Sequence, residues 1–258
     1  MKRYLLDLYR RRDLVALLVT SGLKAQHRNS MLGYLWWLLD PFLGVLIYYF
    51  VVVTVFRRGG EGYGPFLVVG MVVWRWLGAT TSAASQAIVK QAGIITHVEL
   101  PKIVFPIAEA ATGLVHFGFG LVVVMLLFLA WHILPGVALL SLPLIVVSQF
   151  LFTLALASMI AYVGVFLRDL EPLMGHLLRL WFFASPVIWR PDMVPAEATS
   201  LLPANPMSHL LAAYRDVLIG QRLPSLGPLA VIGIASAIAV AWMTYVYSRH
   251  EHRMVRVL

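Results

Sequence analysis

The sequence predicts an all-α integral membrane protein. Its plan is six transmembrane helices, an N-terminal helix on the cytoplasmic face, and a re-entrant outer helical segment between spans five and six. Three observations predict it. Only 12% of the 258 residues are charged while 60% are hydrophobic, against about 25% charged and about 45–50% apolar in a soluble domain. Charge poverty is the stronger signal, because a water-facing surface of this length needs polar cover. Six runs are apolar over roughly the 20 residues a helix needs to cross about 30 Å of hydrocarbon. Lysine and arginine concentrate at alternate ends of those runs. The chain therefore reads as one transmembrane domain over 1–258, divided into an interfacial helix (1–34), spans one to five (35–189), an outer re-entrant region (190–225), span six (226–247) and a cytoplasmic tail (248–258).

The opening 28 residues are basic, and Leu14, Val15, Leu17, Leu18 and Val19 give them a broad apolar stripe. Such a helix lies in the headgroup layer with its cations facing anionic lipid. Asp7, Arg10, Arg11, Arg12 and Asp13 interrupt the apolar core that a cleavable signal needs, so insertion is expected to use the first internal span. That span runs from about Leu35 to Phe56, with Asp40 the one charge, near its start. A glycine-rich loop follows; Pro65 closes it and no strand precedes it, so it reads as an outer connection and not as a phosphate cradle. The second span covers Phe66 to Ala84 and continues as a polar helix to Gly93. The third covers Ile103 to Trp131, the fourth Leu139 to Leu167, the fifth Leu173 to Trp189 and the sixth Leu226 to Tyr247.

Thirteen lysines and arginines then flank the spans on the side of the N-terminus: Lys2, Arg3, Arg10, Arg11, Arg12, Lys24, Arg28, Lys90, Lys102, Arg168, Arg249, Arg253 and Arg256. Five flank them on the other: Arg57, Arg58, Arg190, Arg215 and Arg222. The bias places both termini in the cytoplasm. Between spans five and six, Asn205 is a good helix N-cap, Pro206 suits the first turn and Gly220 suits the C-terminal cap. Met207, Leu210, Leu211, Tyr214, Val217 and Leu218 follow helical spacing between them. At about 21 Å this helix is too short to cross; it either dips into the outer leaflet and returns or lies on the outer surface.

Function classes narrow by exclusion. With no cysteine, neither a disulfide framework nor a Cys-ligated metal site is available. The pair His250 and His252 lies on different helix faces, so no metal site is expected. The formal charge of +8 points to anionic lipid and not to nucleic acid, which needs a soluble scaffold to present its binding face. There is no Gly-x-x-x-x-Gly-Lys-Ser/Thr phosphate loop and no Gly-x-Ser-x-Gly elbow, so neither ATP hydrolysis nor hydrolase chemistry is expected of this chain. A membrane-embedded enzyme would need a facing nucleophile and base, and no convincing Ser/His pair occurs. A passive channel would conduct without nucleotide.

Two cytoplasmic turns stand out. The first, Ile94 to Lys102, contains Thr96, His97, Val98, Glu99, Leu100 and Pro101; Pro101 breaks the chain before the third span. It reads as a compact docking element or as a plain tight connection. The second, Arg168-Asp169-Leu170-Glu171-Pro172, offers the same choice between docking and membrane-boundary charge. Trp74, Trp76, Trp181, Phe182 and Phe183 lie deeper than the interfacial aromatic belts, and would either stack on sugar faces or pack between helices. Arg75 and Arg179 sit at membrane depth, where a cation should face a bundle interior, a subunit interface or water.

Several segments in order resemble one family, the membrane subunit of type-2 ABC transporters that export cell-surface polysaccharide. Leu23 to Pro41, with its basic residues and its Leu32-Gly33-x-x-Trp36-x-x-x-x-Pro41 core, resembles that family's approach to span one. His97 to Lys102 through Phe105-Pro106 resembles its cytoplasmic coupling helix. Phe166 to Leu170, Phe183 to Trp189 and Asn205-Pro206-Met207 complete the pattern. Asp40 stands where that family is variable and often apolar, and Lys24 and His27 dilute its usual Arg-rich approach. The resemblance implies a homodimer with two separate ABC ATPase subunits that bind ATP and Mg, in a bacterial inner membrane, and an undecaprenyl-diphosphate-linked glycan as substrate, O-antigen first, capsule or teichoic acid next. It implies coupling through Thr96, His97, Val98, Glu99, Leu100, Pro101, Arg168 and Asp169, and access for the lipid diphosphate beside Lys24 and Arg28. It implies a glycan path or gate along Tyr48, Trp74, Arg75, Phe182, Phe183, Trp189, Asn205 and His209. No cofactor is expected in this chain. The alternative within the superfamily is a small-molecule drug exporter.

Overall fold

A computed structural model of the chain describes residues 2–25, 31–55, 60–95, 100–134, 136–193 and 202–257, with Arg57, Pro195 and Ser200. Among the described residues the regular structure is helical throughout, with no strand. Among the described residues, five helices are long and apolar enough to cross a membrane: Trp36–Val55, Tyr63–Ala84, Val104–Ala130, Val137–Phe166 and Leu226–Met254.

The N-terminal segment forms two helices, α1 (Lys2–Arg10) and α2 (Arg12–Ala25), broken at Arg11. Next, α3 (Trp36–Tyr49) carries Pro41 in its second turn and continues into a wider i→i+5 turn over Phe50–Val55. Pro41 lacks the N–H that would bond four residues back, and the run Val51-Val52-Val53-Thr54-Val55 crowds each preceding turn. The first crossing is therefore the least regular of the five.

The most enclosed crossing is α4 (Tyr63–Ala84), which begins after Gly62 at φ 69°, a left-handed position that favours glycine. Some 61% of its most apolar window is buried, against 11% for the first crossing, which makes α4 the hub of the bundle and α3 peripheral. Past Ala84 the chain turns through 85–88 and forms only a short helix, α5 (Ala92–Ile95), where a continuous helix to Gly93 was expected. Along α6 (Val104–Ala130), Gly113 and Gly120 lie two turns apart on one face. A Cβ at Gly113 would collide with Thr80 Oγ1, and one at Gly120 would lie 2.6 Å from Val72 Cγ1. The two glycines thus let α4 and α6 meet closely, the small-residue logic of helix association where lipid removes the hydrophobic drive.

The fourth crossing comprises a 3₁₀ turn (Val137–Ser141) and α7 (Leu142–Phe166). It pairs most extensively with α10 (Leu226–Val257), which runs past the expected span end at Tyr247. Tyr247 Oη donates to the Ser158 carbonyl at 3.0 Å between them. The expected fifth span, Leu173 to Trp189, differs in the structure. Its helix, α8 (Leu170–Ala184), has 15 residues and stops where Ser185 turns extended (φ −105°, ψ 146°). Pro186 disfavours helix at the residue before it. Between α8 and α10, α9 (Pro206–Leu218) buries the predicted stripe, including Met207, Leu210, Leu211 and Tyr214, against α4 and α7. A second, smaller core gathers Ile95, Ile103, Phe105, Val165, Tyr247 and Met254, with Tyr4, Leu8 and Leu18 of the N-terminal helices against it.

Candidate functional site

Tyr48, Trp74, Phe182 and Phe183 come together as one aromatic wall between α3, α4 and α8. Ring centroids lie 5.8 Å apart for Tyr48 and Phe182, 5.6 Å for Trp74 and Phe182, and 5.1 Å for Phe182 and Phe183. Trp181 joins edge-on to Trp74 at 5.7 Å. Such pairs each add about 0.5–1.5 kcal/mol beyond area burial. Most of the wall is core, with Trp74 and Phe182 buried, while Phe183 stays exposed. Packing and an exposed ring edge thus share one cluster.

Asn205 fastens this wall to α9. Its Oδ1 accepts from Trp181 Nε1 at 3.0 Å and from the Met207 amide at 3.1 Å, so it caps α9 as expected. Its Nδ2 donates to Ser185 Oγ at 2.9 Å. Trp189 Nε1 donates to the Phe183 carbonyl at 2.9 Å, and His209 Nε2 donates to the Pro203 carbonyl at 2.9 Å. These three expected site residues brace the connection between α8 and α9. One residue sequence reasoning treated only as a flanking charge proves central here. Arg215 of α9 donates to the carbonyls of Pro186 (2.7 Å), Val187 (3.0 Å) and Phe66 (3.2 Å), its guanidinium 3.4 Å from the Phe66 ring centroid. Gly70 makes room for it, since a Cβ there would strike Arg215 Nη2 and the Val187 carbonyl. Past the end of α8, this one guanidinium meets the carbonyls of Pro186 and Val187, which lie outside any helix, and joins them to Phe66 of α4.

Arg75 does not join the wall. One residue along a helix turns the side chain by about 100°, and Arg75 faces α3, where Nη2 donates to Asp40 Oδ2 at 2.7 Å. Both partners are half-exposed. They line a cavity of about 660 Å³ bounded by α2, α3, α4 and α6, whose walls also carry Ser21, Trp37, Trp76, Thr80, Glu109, Thr112 and His116. Asp40 and Arg75 each stood out in the sequence as a charge within a span, but nothing in the spacing paired them across 35 positions. Glu109, in the second turn of α6, was not singled out at all.

Of the residues expected on the cytoplasmic side, Leu100 and Pro101 are buried, while Arg168 and Asp169 are exposed between α7 and α8. Thr96, His97, Val98, Glu99 and Arg28 lie outside the described residues; Lys24 is exposed near the end of α2. Immediately after Pro101, the Lys102 amide donates to Glu251 Oε1 at 3.0 Å and Lys102 Nζ lies 3.4 Å from the same oxygen. Lys102 is buried, so this pair ties the start of α6 to the end of α10. Burial pushes the Tyr4 hydroxyl above its ordinary range, and the nearby Glu251 carboxylate pushes it further. Tyr4 near one end of the chain and Glu251 near the other thus meet beside the start of α6.

The profile of the ABC-2 type transporter family matches residues 13–219, from α2 to the end of α9. The chain is 32% identical over 240 residues to the O-antigen export system permease protein RfbA of Myxococcus xanthus, covering 92% of each protein. Two proteins of the same description from Klebsiella pneumoniae are 27% identical over 212 residues (82% of each) and 24% identical over 247 residues (95% of each). With five helices long and apolar enough to cross a membrane among its described residues and four-fifths of its length within the family profile, the chain is a multi-pass membrane protein that belongs to the ABC-2 type transporter family.

Proposed function

We propose that this chain is the membrane subunit of an ATP-driven exporter that carries undecaprenyl-diphosphate-linked O-antigen polysaccharide across the bacterial inner membrane. The observation that carries the proposal is similarity over nearly the whole chain to permeases described as O-antigen exporters. In this reading two copies form the translocation path, and two separate ABC ATPase subunits bind ATP and Mg and supply the energy.

The topology is six crossings with both termini cytoplasmic, the fifth made by α8 and the extended stretch after it. Leu170 borders Gly164 together with the Ser85 carbonyl, just past the inner end of α4. Twenty residues on, Tyr63 Oη donates to the Ile188 carbonyl at 2.7 Å and Arg190 donates to the Glu61 carbonyl at 2.9 Å, at the outer end of α4. The segment from 170 to 190 therefore runs the full length of α4, about 33 Å for its 22 residues. A 15-residue helix covers about 22 Å of that distance, and the non-helical residues 185–190 supply the rest. In this topology α9 dips from the outer face and packs against α4.

The exposed edge of the aromatic wall at Tyr48 and Phe183, with Trp74 and Phe182 behind it, borders the glycan path. Trp189, Asn205 and His209 brace its outer end. Lys24 and Arg28 stand beside the access route for the lipid diphosphate. The coupling surface is the turn from Thr96 to Pro101 with Arg168 and Asp169. ATP-driven closure of the partner pushes that turn, and the Lys102–Glu251 pair passes the push to α6 and α10 together.

The test is reconstitution of the chain with its cognate ATPase in proteoliposomes. Lipid-linked glycan should stimulate ATP hydrolysis, and hydrophobic drugs should not; stimulation by drugs alone refutes the substrate class. Reversal of Glu99 should abolish partner-dependent export, and intact export would remove the coupling role.

A further inference from the structure

Arg179 is a cation at membrane depth that the folded chain leaves unpaired. It is exposed on α8 and makes no ion pair among the described residues. Arg75, by contrast, is held by Asp40 at 2.7 Å. The level of Arg179 follows from its neighbours. Trp181 and Phe182 meet Trp74 at 5.7 and 5.6 Å between ring centroids, and Arg179, just before them in α8, stands within about one turn of the middle of α4. It lies about 13 Å along the helix from Leu170, the start of α8, inside a hydrocarbon core of about 30 Å. Phospholipid phosphates lie at the edge of that core, farther away than an arginine side chain spans. A cation at such a level faces a bundle interior, a subunit interface or water.

The row it belongs to fixes the side it faces. His176, Arg179 and Phe183 fall within about 60° of one another around α8, and all three are exposed. Met174 and Phe182, turned toward the bundle, are buried. The row therefore leads from the inner half of α8 to the exposed edge of the aromatic wall, on the side that a single chain leaves open.

We propose that Arg179 receives the diphosphate of the lipid-linked substrate in mid-membrane, as a station between the cytoplasmic access route and the outer end of the path. The inference rests on the exporter reading above. In that reading two copies enclose the path, so the second copy brings a second guanidinium to the same level. Two cations match the two negative charges of a diphosphate diester, and the planar fork of each guanidinium suits phosphate oxygens. A resident phospholipid does not carry its phosphate to this depth, whereas a transported lipid head passes through it.

The chain has no cysteine, so Arg179→Cys introduces a thiol unique in it. The experiment is export of lipid-linked glycan by this variant in proteoliposomes, with a cysteine-free form of its cognate ATPase. Export is measured before and after 2-aminoethyl methanethiosulfonate, which restores a cation, or methyl methanethiosulfonate, which does not. Loss of one charged hydrogen bond should slow export about tenfold. The aminoethyl reagent should recover most of that and the methyl reagent none, and Arg179→Lys should fall between wild type and Arg179→Cys. Undiminished export by untreated Arg179→Cys overturns the proposal, as does equal recovery with both reagents. A thiol that the aminoethyl reagent leaves unmodified, read by mass spectrometry, overturns it because the side chain then faces lipid. Dissociation of the two copies of Arg179→Cys on size-exclusion chromatography overturns it too, since the cation then serves an ion pair between copies. A wild type that exports no lipid-linked glycan refutes the exporter reading itself, and this site with it, so the two failures are distinguishable.

Discussion

Replacing Arg215 with methionine keeps most of the side-chain length and removes every donor. In the folded chain two nitrogens of Arg215 serve three carbonyls, those of Pro186, Val187 and Phe66, at 2.7, 3.0 and 3.2 Å. The carbonyls of Pro186 and Val187 lie outside any helix and have no helical partner to fall back on, whereas that of Phe66 keeps its place in the α4 ladder. A hydrogen bond to a charged donor is worth about 1.5–3 kcal/mol, and a buried acceptor left unpaired costs about 1–3 kcal/mol. Against this stands the relief of no longer holding a cation away from water, several kcal/mol before compensation. The balance favours the clamp, and loss of about 3–4 kcal/mol is expected. For a chain of this size that corresponds to a fall of about 10 °C in Tm. The assay is thermal unfolding of the detergent-solubilised chain, followed by tryptophan fluorescence. Arg215→Lys should fall between, since one ammonium cannot span three acceptors from two nitrogens. Gly70→Ala should copy part of the loss by pressing on the same guanidinium. A Tm for Arg215→Met within about 2 °C of wild type would refute the view that this residue fastens α9 to the broken end of α8.

Other expectations follow from the same packing. Glu251→Ala breaks a largely buried pair and should cost about 3–5 kcal/mol; the exchange Lys102→Glu with Glu251→Lys should recover part of that in the same unfolding assay. If the pair also transmits force, Glu251→Ala should raise the ATP hydrolysed per glycan exported, a ratio that simple loss of folded protein leaves unchanged. Gly120→Leu should collide with Val72 and lower stability by about 1–3 kcal/mol, whereas Gly118→Leu, with open space around it, should be near neutral by the same thermal measurement. Asn205→Ala removes an N-cap worth about 1 kcal/mol together with the Trp181 bond, and Asn205→Asp should restore the cap and the acceptor; Tm and the Trp181 fluorescence maximum report both.

The five long crossings were legible because each is a sustained apolar run, and hydrocarbon as solvent makes length and hydropathy sufficient. The stripe and cap of α9 were legible because its signals are local: Asn205, Pro206 and a regular apolar spacing. The end of α8 was not. Hydropathy continues through Val187, Ile188 and Trp189, so the run reads as one span, and only the restriction Pro186 places on Ser185 marks the stop. The site divided in the same way. Aromatic identity selected Tyr48, Trp74, Phe182 and Phe183, which do meet, because large rings in adjacent crossings have few other places to go. Arg75 was grouped with them by depth alone, and depth says nothing of the direction a side chain takes around its helix. Pairings such as Asp40 with Arg75, Lys102 with Glu251 and Arg215 with three distant carbonyls depend on tertiary placement that no window along the chain records.

The hub position of α4 has a mechanical consequence. One face carries Trp74 into the aromatic wall, the next carries Arg75 to the lateral cavity, and the N-terminal end is fastened through Phe66 to the Arg215 clamp. Its C-terminal end leads, past Ser85, to Ala87 and Ile88 in the smaller core, beside which Lys102 and Glu251 join α6 to α10. Close approach at Gly113 and Gly120 leaves little room for α4 to slide along α6, since packed interfaces shift between discrete arrangements and do not deform continuously. The peripheral α3, with Pro41 and the wide turn over Phe50–Val55, has neither restraint. Displacement during transport should therefore fall between α3 and α4, at the Asp40–Arg75 contact. A short bifunctional thiol cross-link between cysteines placed at Gly44 and Met71, whose long side chain reaches to 3.9 Å from a Cβ at Gly44, should arrest export and leave the fold intact. Full export with that cross-link closed would place the moving boundary elsewhere.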